Sequence, residues 1–248
     1  MADGDDVVYS RSFEQLNSGD IPSDFVLVGN EDPQVTNSTA ATDAHSYQMN
    51  GSYGGCWMAI ARFPATADLN FPDHMLIRGS YRLGDGSVGC HSSRGVLKFS
   101  TNASSSEFDG NRKPILKFEA DGTVESFGTV VGEYNRYEWI DFEVEYIRDR
   151  ENGEVIQKCT INDGETVSTT RAESGDEDNF SAIQFQSDDF TVFWDDLEIV
   201  QSGTQAAIAQ STATTNPGHT VTFDAGPSTG DIESFDWSFG DGTTASGK

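Results

Sequence analysis

Apolar and polar positions alternate in short runs along most of the chain. HMLIRGSYRL (74–83) places Met75, Ile77, Tyr81 and Leu83 on one face. WIDFEVEYI (139–147) sends Ile140, Phe142, Val144 and Tyr146 one way and Asp141, Glu143 and Glu145 the other. A period of two over four to eight residues is the mark of a half-buried strand. GVLKFS (95–100), PILKFE (114–119), SAIQFQ (181–186) and FTVFWDDLEIV (190–200) continue the series. KFEADGTVESF (117–127) and KCTINDGETVS (158–168) each hold an Asp-Gly pair between two such runs, at Asp121-Gly122 and Asp163-Gly164. That is a strong hairpin signal, because both residues tolerate positive φ. No stretch shows the 3.6-residue period of an amphipathic helix. The pattern predicts an all-β fold, a jelly-roll sandwich of antiparallel sheets. QSGTQAAIAQSTATTNPG (201–218) is small, polar and uncharged. It reads as a linker, with another strand, HTVTFDAG (219–226), beyond it. The expected units are 1–203, a linker or the start of the next unit at 204–218, and 219–248.

Charge narrows the function. The chain has 41 acidic and 15 basic residues among 248, a formal net charge of −26 spread along its length. Phosphate contact needs clustered Lys and Arg, so nucleic acid is excluded as a partner. An anionic membrane surface is disfavoured for the same reason, and no apolar run reaches the ~18 residues of a membrane span. With 35% apolar and 11% aromatic residues the chain can still build a core. A dispersed acidic surface over a real core suits solubility in molar salt, and points to a halophilic source. MADGDDVVYS lacks the basic and apolar regions of a signal peptide. Cys56, Cys90 and Cys159 make no CxxC pair. A zinc site is therefore not expected, and the disulfide pairing is left open.

Two short stretches carry a resemblance. SFEQLNSGDIPSDFVLVG (12–29) and VFWDDLEIV (192–200) resemble the opening and closing strands of concanavalin A-like, laminin-G-type jelly rolls. The resemblance implies a binding fold, in which the first and last strands often hold a structural calcium. Glu14 on the opening strand and Asp195 on the closing strand would be its ligands. Asp195 shares parity with Phe193, Leu197 and Ile199, and a carboxylate on an apolar face needs a cation or hydrogen bonds. Jelly-roll glucanases carry Glu-x-Asp-x-Glu on one strand, with the outer acids about 5 Å apart across the scissile bond. Here the corresponding stretch begins at Trp139, so the nucleophile's position holds an indole, and catalysis is not expected. Sugar binding is. Tyr53, Trp57, Tyr134, Tyr137 and Trp194, the last with outward parity, are the candidate stacking residues.

VTFDAGPSTGDIESFDWSFGDGTTASGK (221–248) resembles a polycystic-kidney-disease (PKD) repeat, an immunoglobulin-like β domain. The match rests on Val221, Phe223, Asp224 and Ala225, then on Trp237, Phe239, Gly240, Asp241 and Gly242. The repeat breaks off half-way, so further strands or modules are expected to follow. Together these features predict a non-enzymatic surface protein that presents a glycan-binding jelly roll on a PKD stalk. The expected setting is a virion surface (turret, spike or tail fibre) of a halophilic system. Host surface glycans or S-layer glycoprotein, other virion or stalk subunits, and further copies of the chain are the expected partners. The alternative is an accessory module of a secreted haloarchaeal glycoside hydrolase or adhesin.

Overall fold

The computed structural model describes residues 6–28, 33–50, 58–63, 71–86, 93–101, 113–201, 209–210, 222–225, 234–239 and 242–247. Tyr53, Trp57, Cys56 and Cys90 lie outside them. The strands in chain order are β1 (Asp6–Arg11), β2 (Val26–Val28), β3 (Gln34–Thr36), β4 (Ser46–Asn50), β5 (Met58–Phe63), β6 (His74–Gly86), β7 (Ser93–Ser100), β8 (Lys113–Glu119), β9 (Thr123–Ser126) and β10 (Thr129–Glu133). They continue as β11 (Trp139–Asp149), β12 (Glu154–Ile161), β13 (Val167–Ala172), β14 (Ala182–Asp188) and β15 (Phe190–Gln201). One short 3₁₀ turn, Glu177–Asn179, is the only helical element among the described residues. No helix there is long and apolar enough to cross a membrane.

Two antiparallel sheets face each other, as the alternation predicts. One has eight strands in the order β13-β12-β11-β6-β15-β4-β3, with β1 also paired to β15. The other has seven, β10-β9-β8-β7-β14-β5-β2. The inward faces of β6 and β11 are those read from the sequence: Met75, Ile77, Tyr81, Leu83, Ile140, Phe142, Val144 and Tyr146 are all buried. Aromatic rings bridge the sheets. Tyr81 stacks on Phe118 at 3.8 Å, and Phe185 stacks on Trp194 at 4.5 Å with ring planes 9° apart. Gly95 lets the Tyr81 ring pass, since a Cβ there would lie 2.5 Å from it. Both Asp-Gly hairpins form. In the second, however, positive φ falls on Asn162 and Asp163, not on Gly164.

The closing strand departs from the expected parity. Val192 and Trp194 point into the core, and so do Leu197 and Ile199. A two-residue period cannot place 194 and 197 on one face unless a residue is inserted. The insertion is a bulge between Asp195 and Glu198, where Asp196 takes φ of 48°. Before the bulge β15 pairs with β4; beyond it, with β1. Phe193 and Asp195 thus lie on the outer side of the sheet, and Trp194 lies inside at 1% exposure. The outward indole read from the sequence is corrected to a core one.

In the C-terminal part, β16 (Ala209–Gln210) pairs with β17 (Phe223–Asp224), and β18 (Phe235–Ser238) pairs with β19 (Thr244–Gly247). Gly242 supplies positive φ at the β18–β19 turn. Trp237 and Phe239 have parallel rings 6.4 Å apart. Phe239 is nevertheless 45% exposed and Phe223 41% exposed.

Candidate functional site

The outer face of the eight-stranded sheet is organised by register. β11 and β15 flank β6, so their outward side chains line up in three cross-strand rows. The first row is Phe193–Arg82–Trp139, the second Asp195–Ser80–Asp141, the third Glu198–Arg78–Glu143. In the first row the Arg82 guanidinium lies 5.3 Å from the Phe193 ring centroid, and Phe193 packs on Trp139 at 6.4 Å. Arg82 Nε donates to the Tyr137 carbonyl at 2.8 Å. This brings a half-exposed tyrosine to the end of the row. Tyr137 takes φ of 68°, donates its hydroxyl to Asp85 at 2.9 Å, and lies under the Arg136 guanidinium. Trp139, Phe193 and Tyr137 thus form an aromatic ledge fixed by two arginines.

Beside the ledge lies a groove of about 320 Å³, lined by Thr42, Arg78, Ser80, Asp141, Glu143 and Asp196 among others. One wall is the 37–45 loop, fastened by the bulge. Thr42 Oγ1 donates to Asp196 at 2.6 Å, and Trp139 Nε1 donates to Thr39 Oγ1 at 3.0 Å. The other wall is the β12–β13 turn, where Asn162 exchanges two hydrogen bonds with the Asp141 backbone. The floor is the second and third rows. Ser80 donates to Asp141 at 2.7 Å, and Arg78 approaches Glu198 at 3.5 Å.

Glu14 and Asp195, the expected calcium ligands, both reach the 37–45 loop. All four of their oxygens face backbone N–H groups. Glu14 accepts from Ala44 and His45, and Asp195 accepts from Ala41 and from Asp196. Calcium draws six to eight oxygens around one point. Each of these carboxylates is already held by two N–H donors, so it has partners without a metal. No group of three or more His, Cys, Asp or Glu able to hold a metal occurs among the described residues. What the pair does is staple the loop.

That staple titrates. Burial pushes the Asp195 carboxyl up to about 7, and the nearby charges of Asp196 and Glu14 push the same way against the two N–H groups. The folded protein therefore holds a proton that the unfolded chain, near 3.8, has released. Between about pH 4 and pH 7 this group makes stability fall as pH rises. The expected result is a melting temperature that declines across that window. Asp195→Asn should flatten the decline, because it removes the titrating charge. Thermal melts at half-unit pH steps check it; an unchanged slope in the variant would contradict it.

The remaining sequence candidates separate. Tyr134 is buried at 7%, and its hydroxyl donates to the Glu119 carbonyl, so it is a core residue. Trp194 is excluded from ligand contact by its burial. Asp141, Glu143 and Glu145 share the outer face, as the alternation predicts. Glu145, however, is held between His74 and Lys158, each at 2.8 Å. Cys159 is a buried free thiol, pushed up to about 11 by desolvation.

A second polar array was missed by sequence reasoning. All seven residues of β14 are buried, on both faces. Its outward side carries Gln184, Gln186 and Asp188. Arg62 Nε donates to Gln184 at 3.0 Å, Lys98 donates to Gln186, and Gln186 donates to Asp188 at 3.0 Å. The available signal was the placement of scarce cations, Arg62 and Lys98, in the middle of apolar runs.

Comparison with known proteins adds three findings. A PKD domain family model matches residues 204–248. No curated protein matches the chain by sequence. Among solved structures, peanut lectin with a nonamer peptide is similar at 10% identity and TM-score 0.50, covering 77% of this chain and 96% of that one. Lectin II from Ulex europaeus, at 11% identity and TM-score 0.49, covers 77% and 97%, and the cellulose induced protein Cip1, at 13% and 0.49, covers 78% and 97%. At such identity the peanut lectin match shows a shared fold alone: the chain contains a lectin-like jelly roll, followed by a segment that matches a PKD domain.

Proposed function

We propose that the chain is a non-enzymatic glycan-binding protein whose site is the ledge and groove on the outer face of the eight-stranded sheet. One observation carries this. Register aligns an aromatic ledge, partly exposed at Trp139 and half-exposed at Tyr137, with a groove of carboxylates, hydroxyls and a guanidinium, the combination that stacks on a sugar ring and bonds its hydroxyls. A lectin-like fold supports the reading without establishing it. The indole of Trp139 at the nucleophile's place, and the tying of Glu145 in ion pairs, speak for binding over hydrolysis.

In this reading residues 1–203 bind surface glycans. The 204–218 segment, a linker or the start of the PKD part, joins them to a PKD-like stalk, 219–248. The acidic, lysine-poor composition supports a salt-rich setting outside cells. A virion turret, spike or tail fibre that meets host glycans or S-layer glycoprotein fits it. There the chain would work as a homo-oligomer among other virion or stalk subunits. An accessory module of a secreted hydrolase or adhesin is the alternative, and the gene upstream of Met1 distinguishes them, since an export signal there favours the alternative. Calcium is not needed to hold Glu14 and Asp195. A rise in melting temperature on adding calcium to metal-free protein would reinstate it.

The test is a glycan-array screen of the full chain, followed by affinity measurements on the sugar bound. Trp139→Ala should weaken binding about tenfold or more, as for the central aromatic of an interface. Val130→Ala, at a half-exposed position on the other sheet, should leave it unchanged. Equal losses in both variants, or no glycan bound, would overturn the proposal.

A further inference from the structure

Resting on that reading, we infer that the groove selects sugars bearing a free, positively charged amino group. The first ground is charge. Asp141, Glu143, Asp163 and Asp196 line it, against one guanidinium, Arg78, which already approaches Glu198. On the opposite sheet the outward side chains of the central strands mix signs, with Arg62, Lys98 and Lys117 beside Asp188 and Glu125, whereas in the groove carboxylates outnumber the cation four to one.

The second ground is the direction of the hydrogen bonds, which is independent of net charge. The hydroxyls of the groove are spent within the protein: Ser80 donates to Asp141, Thr42 donates to Asp196, and Thr160 shares a hydrogen bond with Thr166. Against four carboxylates, which only accept, the lining sets two donor groups, the Arg78 guanidinium and the Asn162 amide. A partner must bring donors. An ammonium brings three and a charge of the right sign, whereas a uronate or a sulfated sugar brings acceptors and is repelled. The adjoining Trp139 ring adds an electron-rich face toward a cation.

Calorimetric titration of the full chain at about 0.15 M salt tests this, where screening acts over roughly 8 Å. The probes are the glucosamine tetramer, its N-acetylated form and cellotetraose. The amine-bearing tetramer should bind about tenfold more tightly than the acetylated one. Replacing Asp141 with Asn and Glu143 with Gln together should bring that ratio toward one. Glu151→Gln with Glu154→Gln, an equal change of charge at the β11–β12 turn, should leave it intact. Equal binding of the three tetramers overturns the amino-sugar inference and leaves glycan binding standing. A ratio that falls equally in both double variants overturns it too, since attraction would then be general. Binding of none of them, together with an empty glycan array, overturns both.

Discussion

Trp194→Ala should destabilise the jelly roll by roughly 3–5 kcal/mol, the range for removing a large aromatic from a core. The indole is 1% exposed and stacks on Phe185 of the facing sheet at 4.5 Å. It also meets Tyr81 at 4.9 Å and Phe118 at 5.6 Å, so its loss opens a cavity between the two sheets at their aromatic centre. Few neighbours can collapse into that space, because Tyr81 is already stacked on Phe118 and hemmed in by Gly95. Denaturant unfolding measures the effect. The contrast with Tyr137→Ala is informative: that half-exposed ring should change stability little. If Trp194→Ala left the midpoint unmoved, the bulge that turns this residue inward would be wrongly placed.

Arg62→Leu should cost roughly 2–4 kcal/mol, although it exchanges a buried charged side chain for an apolar one. Arg62 is fully buried, and Gln184 beside it is too. Removing the guanidinium leaves the Gln184 oxygen without the donor it has at 3.0 Å, and an unmatched buried polar group costs more than the bond itself contributed. The second substitution sets the sign. Adding Gln184→Leu removes the orphaned amide, and the double variant should recover part of the loss. If the two losses simply added, the row would be a set of independent contacts, and the coupling along β14 would be refuted.

Much of the fold was legible because alternation is a local property. Ile140 to Tyr146 sort themselves without knowledge of any partner strand, and both Asp-Gly hairpins announce their turns. Strands of three residues, such as β2 and β3, are too short to show a period. The closing strand was misread for a specific reason: one inserted residue at Asp195–Asp196 reverses every position on one side of it. That error placed Trp194 outside. Asp195 did need partners, and besides the N–H of its neighbour Asp196 it found the Ala41 N–H of a loop 154 residues earlier in the chain, which no local pattern reveals. The site was less legible than the fold. Tyr137 was found because it is aromatic beside turn residues. The rows that give it meaning, Phe193–Arg82–Trp139 and those beneath, exist only in the register between β6, β11 and β15. Trp139 itself was noticed for what it displaced, not for what it could bind.

The central claim is that sugar meets the outer face of the eight-stranded sheet. The most direct measurement is fluorine NMR of the full chain labelled with 5-fluorotryptophan. Its four resonances, Trp57, Trp139, Trp194 and Trp237, would be assigned by single Trp→Phe variants and followed through a titration with the bound glycan. The account predicts a saturable shift at Trp139, with Trp194 and Trp237 unmoved. A shift at Trp57 or Trp237 with Trp139 silent would place the site elsewhere and contradict it.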